Sequence, residues 1–352
     1  MRTPVGTMPV RSEDALDFEV FAAWLRTQIP DPGELSDVHQ FKGGASNVTY
    51  LLTFTERQIV LRRPPTGRKA ASAHDMGREY RVQRQLAPVF PAVPQMLALC
   101  EDPAIVGMPC YAMEYVPGTI LRAGAPAAAA PLSSQQHADL AYAAFDCLAQ
   151  LHAVDAEQAG LIELWKGPGY VARQVRGWSD RYRAAHTDDV PDGEAVMSWL
   201  DATQPPDCGA VVVHGDWRLD NLVLDPADPC RIRAVLDWEM STIGDPLMDL
   251  AAGLAYWVQA DDDEDFRAFR LQPSDLPGMP TRQQILDRYL TSTQRQLTVD
   301  WTFYEVFGLF RLAVIAQQIW YRYRNGQTTN PAFAVFGPAV HTLLTRSARL
   351  VG

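Results

Sequence analysis

The sequence predicts an α+β protein of two unequal lobes, a small antiparallel-sheet lobe followed by a larger, mainly helical one. Three observations predict it. Short β-rich runs crowd the first third of the chain, at Val48–Phe54, Gln58–Arg62 and Tyr111–Val116. Helical periodicity dominates the remainder, most plainly from Thr281 onward. With 352 residues, 47% of them hydrophobic, the chain is long enough for two domains or lobes around a sizeable core.

In chain order, residues 1–12 read as a loose leader and Phe18–Leu25 as a short first helix. The turn-rich stretch Phe41-Lys42-Gly43-Gly44-Ala45-Ser46-Asn47 leads straight into Val48–Phe54. With Gln58–Arg62 after Glu56-Arg57, the two runs read as a β-hairpin. Strand alternation lets only one of Arg62 and Arg63 face a cleft; Arg62 is taken as the inward one and Arg63 as a surface charge. Pro64-Pro65-Thr66-Gly67 breaks the sheet, and a helix begins near Asp75. On it Glu79, Val82 and Leu86 share a face. Glu79 is thus either a solvated helix charge or an inward carboxylate with a cationic partner, and the ion pair is favoured.

The strand Tyr111–Val116 closes at Pro117-Gly118, where the lobe boundary is placed. The chain then divides into a leader with a short helix (1–29), a first lobe (30–116) and a second lobe (117–352). Ala123–Ser134 reads as an exposed connection, and Ser134 as the cap of a helix running to about Leu151. Strand-like runs follow at Val211–Val213, Leu222–Leu224 and Ile232–Leu236, and Asp245 is a candidate helix cap.

Net charge is −11, which argues against nucleic acid or an anionic membrane as the main partner. The five cysteines are scattered without C-x-x-C spacing and read as reduced thiols. Residues 1–20 hold no apolar core for a signal peptide, and Val306–Tyr321, the most apolar long segment, is interrupted by Arg311. A soluble, cytoplasmic protein is expected, and a homodimer is left open.

The strongest chemical signal is His214-Gly215-Asp216-Trp217-Arg218-Leu219-Asp220-Asn221, between two short apolar runs. Asp237, in Leu236-Asp237-Trp238-Glu239, follows Asn221 by 16 residues. Phosphoryl transfer needs a carboxylate to orient the attacking hydroxyl and oxygen ligands to hold Mg²⁺ against nucleotide phosphates. Asp216 suits the first task; Asn221 and Asp237 suit the second.

This pattern resembles the protein-kinase catalytic loop, H-x-D-x-x-x-x-N, with a later metal-binding Asp. The His-Gly-Asp and Leu-Asp-Trp-Glu forms look like the aminoglycoside and choline phosphotransferase branch. Within it the chain is similar to the phosphotransferase-family proteins related to the kinase-like domain of some acyl-CoA dehydrogenases. The resemblance runs from about Phe41 to about Phe336. It implies a two-lobed protein kinase-like fold, with nucleotide bound by the first lobe and catalysis and substrate binding in the second. It makes ATP and Mg²⁺ the cofactors, Asp216 the catalytic base, Asn221 and Asp237 the metal ligands, and His214 a support of the loop. Gly43, Gly44, Ser46 and Asn47 match the phosphate-covering loop, though a plain hairpin turn remains the alternative for the two glycines. Glu79 matches the helix carboxylate, and Met113, Glu114 and Val116 the lobe connection that meets adenine.

The family's lysine on the third strand is replaced by Arg62, which can fork onto phosphate or carboxylate. The acceptor is expected to be a small-molecule hydroxyl. The resemblance favours a hydroxylated acyl-CoA, such as a 4-hydroxyacyl-CoA, whose phosphates Arg63, Arg68 and Lys69 would meet. Asp261-Asp262-Asp263-Glu264-Asp265 offers instead an acidic pocket for an aminoglycoside, or a solvated loop. The missing lysine motivates a rival, a non-catalytic pseudokinase module. Protein phosphorylation is disfavoured, because no Ala-Pro-Glu element follows Asp237. His152 and His186 carry no functional assignment.

Overall fold

A computed structural model of the chain describes residues 4, 6–42, 47–65, 75–122, 132–328 and 331–352. Gly43, Gly44 and Ser46, with Arg68 and Lys69, lie outside the described residues. The chain forms two compact units, one of Met1–Pro117 with Arg233–Ser241, the other of Gly118–Ile232 with Thr242–Gly352.

The first unit holds β1 (Thr7–Met8), α1 (Phe18–Gln28), β2 (Leu35–Phe41), β3 (Val48–Phe54), β4 (Gln58–Arg63), α2 (Met76–Leu86), β5 (Met96–Cys100), α3 (Pro103–Val106) and β6 (Cys110–Glu114). The strands form one antiparallel sheet in the order β1-β2-β3-β4-β6-β5. Strand alternation sorts its residues between two faces. Tyr50, Leu52, Phe54, Ile59 and Leu61 pack on Phe21, Ala22 and Leu25 of α1. Val60, Tyr111 and Met113 pack instead on Met76 and Tyr80 of α2. The same alternation sends Arg62 to the α2 face and Arg63 to the α1 face.

Two expectations are corrected in this unit. Residues 7–8 are not a loose leader, because Thr7 and Met8 pair with Phe41 and Gln40. Arg63 is not a surface charge but wholly buried. Its Nε donates to Tyr50 Oη at 2.9 Å, its Nη1 to Pro64 O at 2.9 Å and its Nη2 to Asp14 O at 3.1 Å, with Asp14 Oδ1 at 3.4 Å. A guanidinium spent on these acceptors is a core strut and does not meet the phosphates of a substrate.

After Pro117 the chain adds α4 (Ser134–His152), α5 (Tyr170–Ala185), α6 (Glu194–Thr203), β7 (Val211–Val213), β8 (Leu222–Leu224), β9 (Ile232–Val235) and β10 (Thr242–Gly244). Then come α7 (Pro246–Leu254), α8 (Glu264–Arg267), α9 (Arg282–Thr293), α10 (Thr302–Arg324) and α11 (Phe336–Val351). α4 is capped by Ser133, one residue earlier than expected, through a capping box with Gln136. Asp245 caps α7 by accepting from the Leu247 and Met248 N–H groups. All nine residues of α7 are buried. α10 crosses α7 so closely that a Cβ on Gly308 would stand 2.4 Å from Ala251 O. A side chain at that position would force the helices apart; glycine lets Arg311, three residues on, reach the loop that follows β7. β7 pairs with β10, Val213 opposite Thr242, which fixes where that loop begins.

Candidate active site

In the first unit, β4, α2 and the segment after β9 bring together a cation and three carboxylates. Arg62 Nε stands 3.4 Å from Glu79 Oε1, and Arg62 Nη2 lies 2.5 Å from Asp237 Oδ1 and 3.7 Å from Glu239 Oε2. Burial opposes the Arg62 cation, but Glu79, Asp237 and Glu239 outweigh it and hold the guanidinium well above its ordinary value. Burial also raises the Glu79 carboxyl, with Arg62 pulling the other way. The cost of enclosing the pair therefore falls on the carboxyl, while Arg62 stays charged because three carboxylates share it.

Asp237 has φ of 69°, the left-handed region that side chains other than those of Asn and Asp seldom adopt. Glu239, two residues on, was not singled out from the sequence. It accepts from Asn47 Nδ2 at 3.1 Å, and its carbonyl accepts from Arg78 Nη1 at 3.1 Å. Asn47 thus stands at the foot of β3 with its amide on Glu239, and its own Oδ1 is buried without a hydrogen bond. Met113 is buried on β6, Glu114 is exposed and donates its N–H to Gln95 O at 2.9 Å, and Val116 lies in the irregular segment beyond.

In the second unit the loop after β7 is held at several of its polar backbone groups. The Asp249 carboxylate, on α7, accepts from His214 N at 2.7 Å and Gly215 N at 2.8 Å. Arg311 Nη2 donates to Gly215 O. His214 Nδ1 accepts from Asp216 N at 3.2 Å, and Gln272 Oε1 accepts from Leu219 N at 2.8 Å. Gly215 has φ of 84°, which explains the glycine between His214 and Asp216. Asn221 Nδ2 donates to Asp216 O at 2.9 Å and to Asp216 Oδ2 at 3.2 Å. The Asp216 side chain keeps 16% of its surface exposed, so a hydroxyl can reach it.

Asp249, Arg311, Gln272 and His152 carried no functional role in the sequence reading. Asp249 is fully buried beside His152, whose Nε2 stands 3.1 Å from Asp249 Oδ2 and whose Nδ1 meets Tyr289 Oη at 2.5 Å. Burial alone would raise the Asp249 carboxyl; His152, with His214 and its N–H, outweighs that and holds it below the usual range. The signal was available: a carboxylate amid nine buried positions, and an arginine breaking an apolar run, each need a buried partner.

The acidic run is neither a solvated loop throughout nor an empty acidic pocket. Asp262 accepts from Arg282 Nη1 and Nη2, both at 2.7 Å, and from Arg346 Nη2 at 2.8 Å. Its charge is used to join α9 and α11.

Among the described residues no group of three or more His, Cys, Asp or Glu side chains could cage a metal. A nucleotide-bound Mg²⁺ needs only one or two protein oxygens, because phosphates and water fill the rest. Asp237 in the first unit and Asn221 in the second each carry a side-chain oxygen of the kind Mg²⁺ takes.

A model of the phosphotransferase enzyme family matches residues 37–284. The chain belongs to that family. It is 36% identical over 331 residues to acyl-CoA dehydrogenase family member 10 of Mus musculus, covering 92% of this chain and 30% of that protein. The chain spans 30% to 45% of the length of the curated acyl-CoA dehydrogenase relatives it matches. The crystal structure of a candidate aminoglycoside phosphotransferase from Ralstonia eutropha superposes with a TM-score of 0.81 at 31% identity, over 96% of this chain and 98% of that one. A thermostable aminoglycoside phosphotransferase mutant, solved with ADP and hygromycin B, shares the fold at a TM-score of 0.58 and 16% identity, over 92% and 97%. The protein thus has the kinase-like α+β fold expected of it. Among the described residues no helix is long and apolar enough to cross a membrane.

Proposed function

We propose that the protein transfers the γ-phosphoryl group of ATP, with Mg²⁺, to a hydroxyl of a small molecule. The observation that carries this is the loop around Asp216, whose carboxylate is accessible while Asp249, Arg311, Gln272 and Asn221 immobilise its backbone. A preorganised, solvent-reachable carboxylate is what positioning a hydroxyl requires. Asp216 orients that hydroxyl and takes its proton as its oxygen attacks the γ-phosphorus in line and ADP leaves. As the family resemblance implies, Asn221 and Asp237 would be the residues that hold Mg²⁺, which would supply charge neutralisation at the phosphate oxygens. Arg62, steadied by Glu79, forks onto the phosphates. His214 supports the loop; Gly43, Gly44, Ser46 and Asn47 belong to the phosphate-covering turn, and Met113, Glu114 and Val116 to the adenine contact.

For the acceptor we favour a hydroxylated acyl-CoA over an aminoglycoside. The names of the relatives support it, and so does the commitment of Asp262 to two arginines, which takes one carboxylate of the acidic stretch away from a polycation. One observation favours the rival pseudokinase reading, arginine in place of the usual lysine at position 62. Its ion pairs with Glu79 and Asp237 weigh against that rival.

The test is incubation with Mg-ATP and a panel of hydroxyacyl-CoAs, aminoglycosides, choline and sugars, read by mass spectrometry. One added phosphate on one acceptor class is expected. Nucleotide binding with no product on any acceptor would point to the pseudokinase or to an acceptor outside the panel, and Mg²⁺-dependent ATP turnover no higher than in an Asp216→Asn control would decide for the pseudokinase.

A further inference from the structure

We propose that Cys100 and Cys110 are a latent disulfide, two thiols of the first unit that a peroxide joins across β5 and β6. Neither residue belongs to the site that carries the phosphotransferase reading. Both are free thiols, ten positions apart in the chain, and the sheet brings them together. β5 and β6 are antiparallel neighbours, and Cys100 is the register partner of Cys110. Alternation turns both to the face covered by α1, where they pack in one cluster with Phe21, Leu25, Ala98 and Ala112. Directly opposed residues of an antiparallel pair stand about 4.5–5.5 Å apart at Cα, within the roughly 4.4–6.8 Å that a disulfide spans.

The connection between the strands holds that register. It is built on α3, whose N-terminus is capped by Asp102, the side chain accepting from Ala104 N at 2.8 Å. Gly107, with φ of 80°, ends α3 by donating its N–H to Pro103 O at 2.8 Å. The Cys100 thiol donates to Asp102 O at 3.7 Å, within the same connection. Cys147, Cys208 and Cys230 belong to the second unit, so the first unit holds this pair and no third thiol to compete for it.

Both side chains are enclosed, and burial raises both thiols above their ordinary value. The closed sheet therefore keeps them protonated and inert. Access comes from the edge. In the order β1-β2-β3-β4-β6-β5, β5 is the terminal strand and pairs on one side only. A strand held from one side opens locally more readily than a central one. Opening bares Cys100, whose thiolate attacks one peroxide oxygen; the O–O bond breaks, leaving a sulfenic acid and, after protonation, one water. On reclosing, the Cys110 sulfur attacks the Cys100 sulfur, the S–O bond breaks, and a second water leaves with the Cys110 proton. Two thiols give up two electrons, and one peroxide is reduced to two waters. The cross-link clamps the sheet edge and restricts the unfolded chain.

The test treats the reduced, folded protein with hydrogen peroxide, alkylates the remaining thiols and maps the bonds by mass spectrometry. Cleavage after glutamate separates the two cysteines, because Glu101 lies between them. A peptide ending at Glu101 joined to one beginning at Asp102 is expected, reversed by dithiothreitol, with Cys147, Cys208 and Cys230 alkylated. The oxidised protein melts about 5 °C above the reduced one, and Cys110→Ala shows no such shift. If Cys110→Ala does not fold, reversal of the wild-type shift by dithiothreitol decides. No joined peptide, a pairing with a cysteine of the second unit, or a joined peptide formed only in denaturing urea overturns the proposal. So does an oxidised protein that melts no higher than the reduced one.

Discussion

Replacing Asp249 by Asn probes what holds the catalytic loop. The carboxylate accepts from three donors: Gly215 N on Oδ1 at 2.8 Å, and His214 N at 2.7 Å with His152 Nε2 at 3.1 Å on Oδ2. An Asn side chain keeps one oxygen and sets an NH₂ against the donors on the other side. At least one buried N–H is then left facing another donor, a loss of about 1–3 kcal/mol. The remaining bonds lose their charge assistance, about 1 kcal/mol each. Together the variant is destabilised by about 3–5 kcal/mol, or ~10 °C in melting temperature for a folding unit of this size. The pH dependence has a definite sign. Because the folded Asp249 carboxyl lies below its ordinary value, its contribution is present above the unfolded value and is lost as pH falls through the folded one. The gap between wild type and variant is therefore steady above about pH 5 and narrows below about pH 4. Thermal unfolding followed by circular dichroism across that range is the assay. A variant melting within about 2 °C of wild type at pH 7 refutes the idea that Asp249 anchors the loop.

Glu79→Gln removes the buried partner of Arg62 and should raise the KM for ATP about tenfold, with folding retained; an unchanged KM in steady-state titration contradicts the ion pair's role. Asp262→Asn removes the charge that Arg282 and Arg346 share and should cost about 1–3 kcal/mol in urea unfolding without changing kcat; lost activity toward a cationic acceptor would restore the acidic-pocket alternative. Gly308→Ala drives a methyl into Ala251 O and should cost about 1–3 kcal/mol by the same unfolding assay, and a neutral result would mean that α10 and α7 are not in such close contact.

What could be read from the sequence follows the distance over which each feature is encoded. The hairpin, the helix start near Asp75, the cap at Asp245 and the His214–Asn221 loop are local, so spacing and turn chemistry reveal them. Arg62 and Glu79 were legible from two periodicities, period two in the strand and 3.6 in the helix. The anchors of the loop were not. Asp249 lies 34 residues from Gly215, Gln272 53 from Leu219, and Arg311 96 from Gly215, and periodicity names no partner at such separations. Arg63 shows the same limit from the other side. Alternation correctly turned it away from Arg62, but nothing nearby announced that Asp14 and Tyr50 would enclose it. The acidic run fell to a compositional rule that cannot see Arg346, 84 residues on.

The central claim is that Asp216 acts on the acceptor hydroxyl, and the most direct measurement is rapid-quench transfer from γ-labelled ATP by wild type and Asp216→Asn, with Mg-ATP affinity measured on both. Transfer should fall about 10²- to 10⁴-fold in the variant while Mg-ATP binds as in wild type. Equal transfer rates in the two proteins would contradict the assignment of Asp216 as the base.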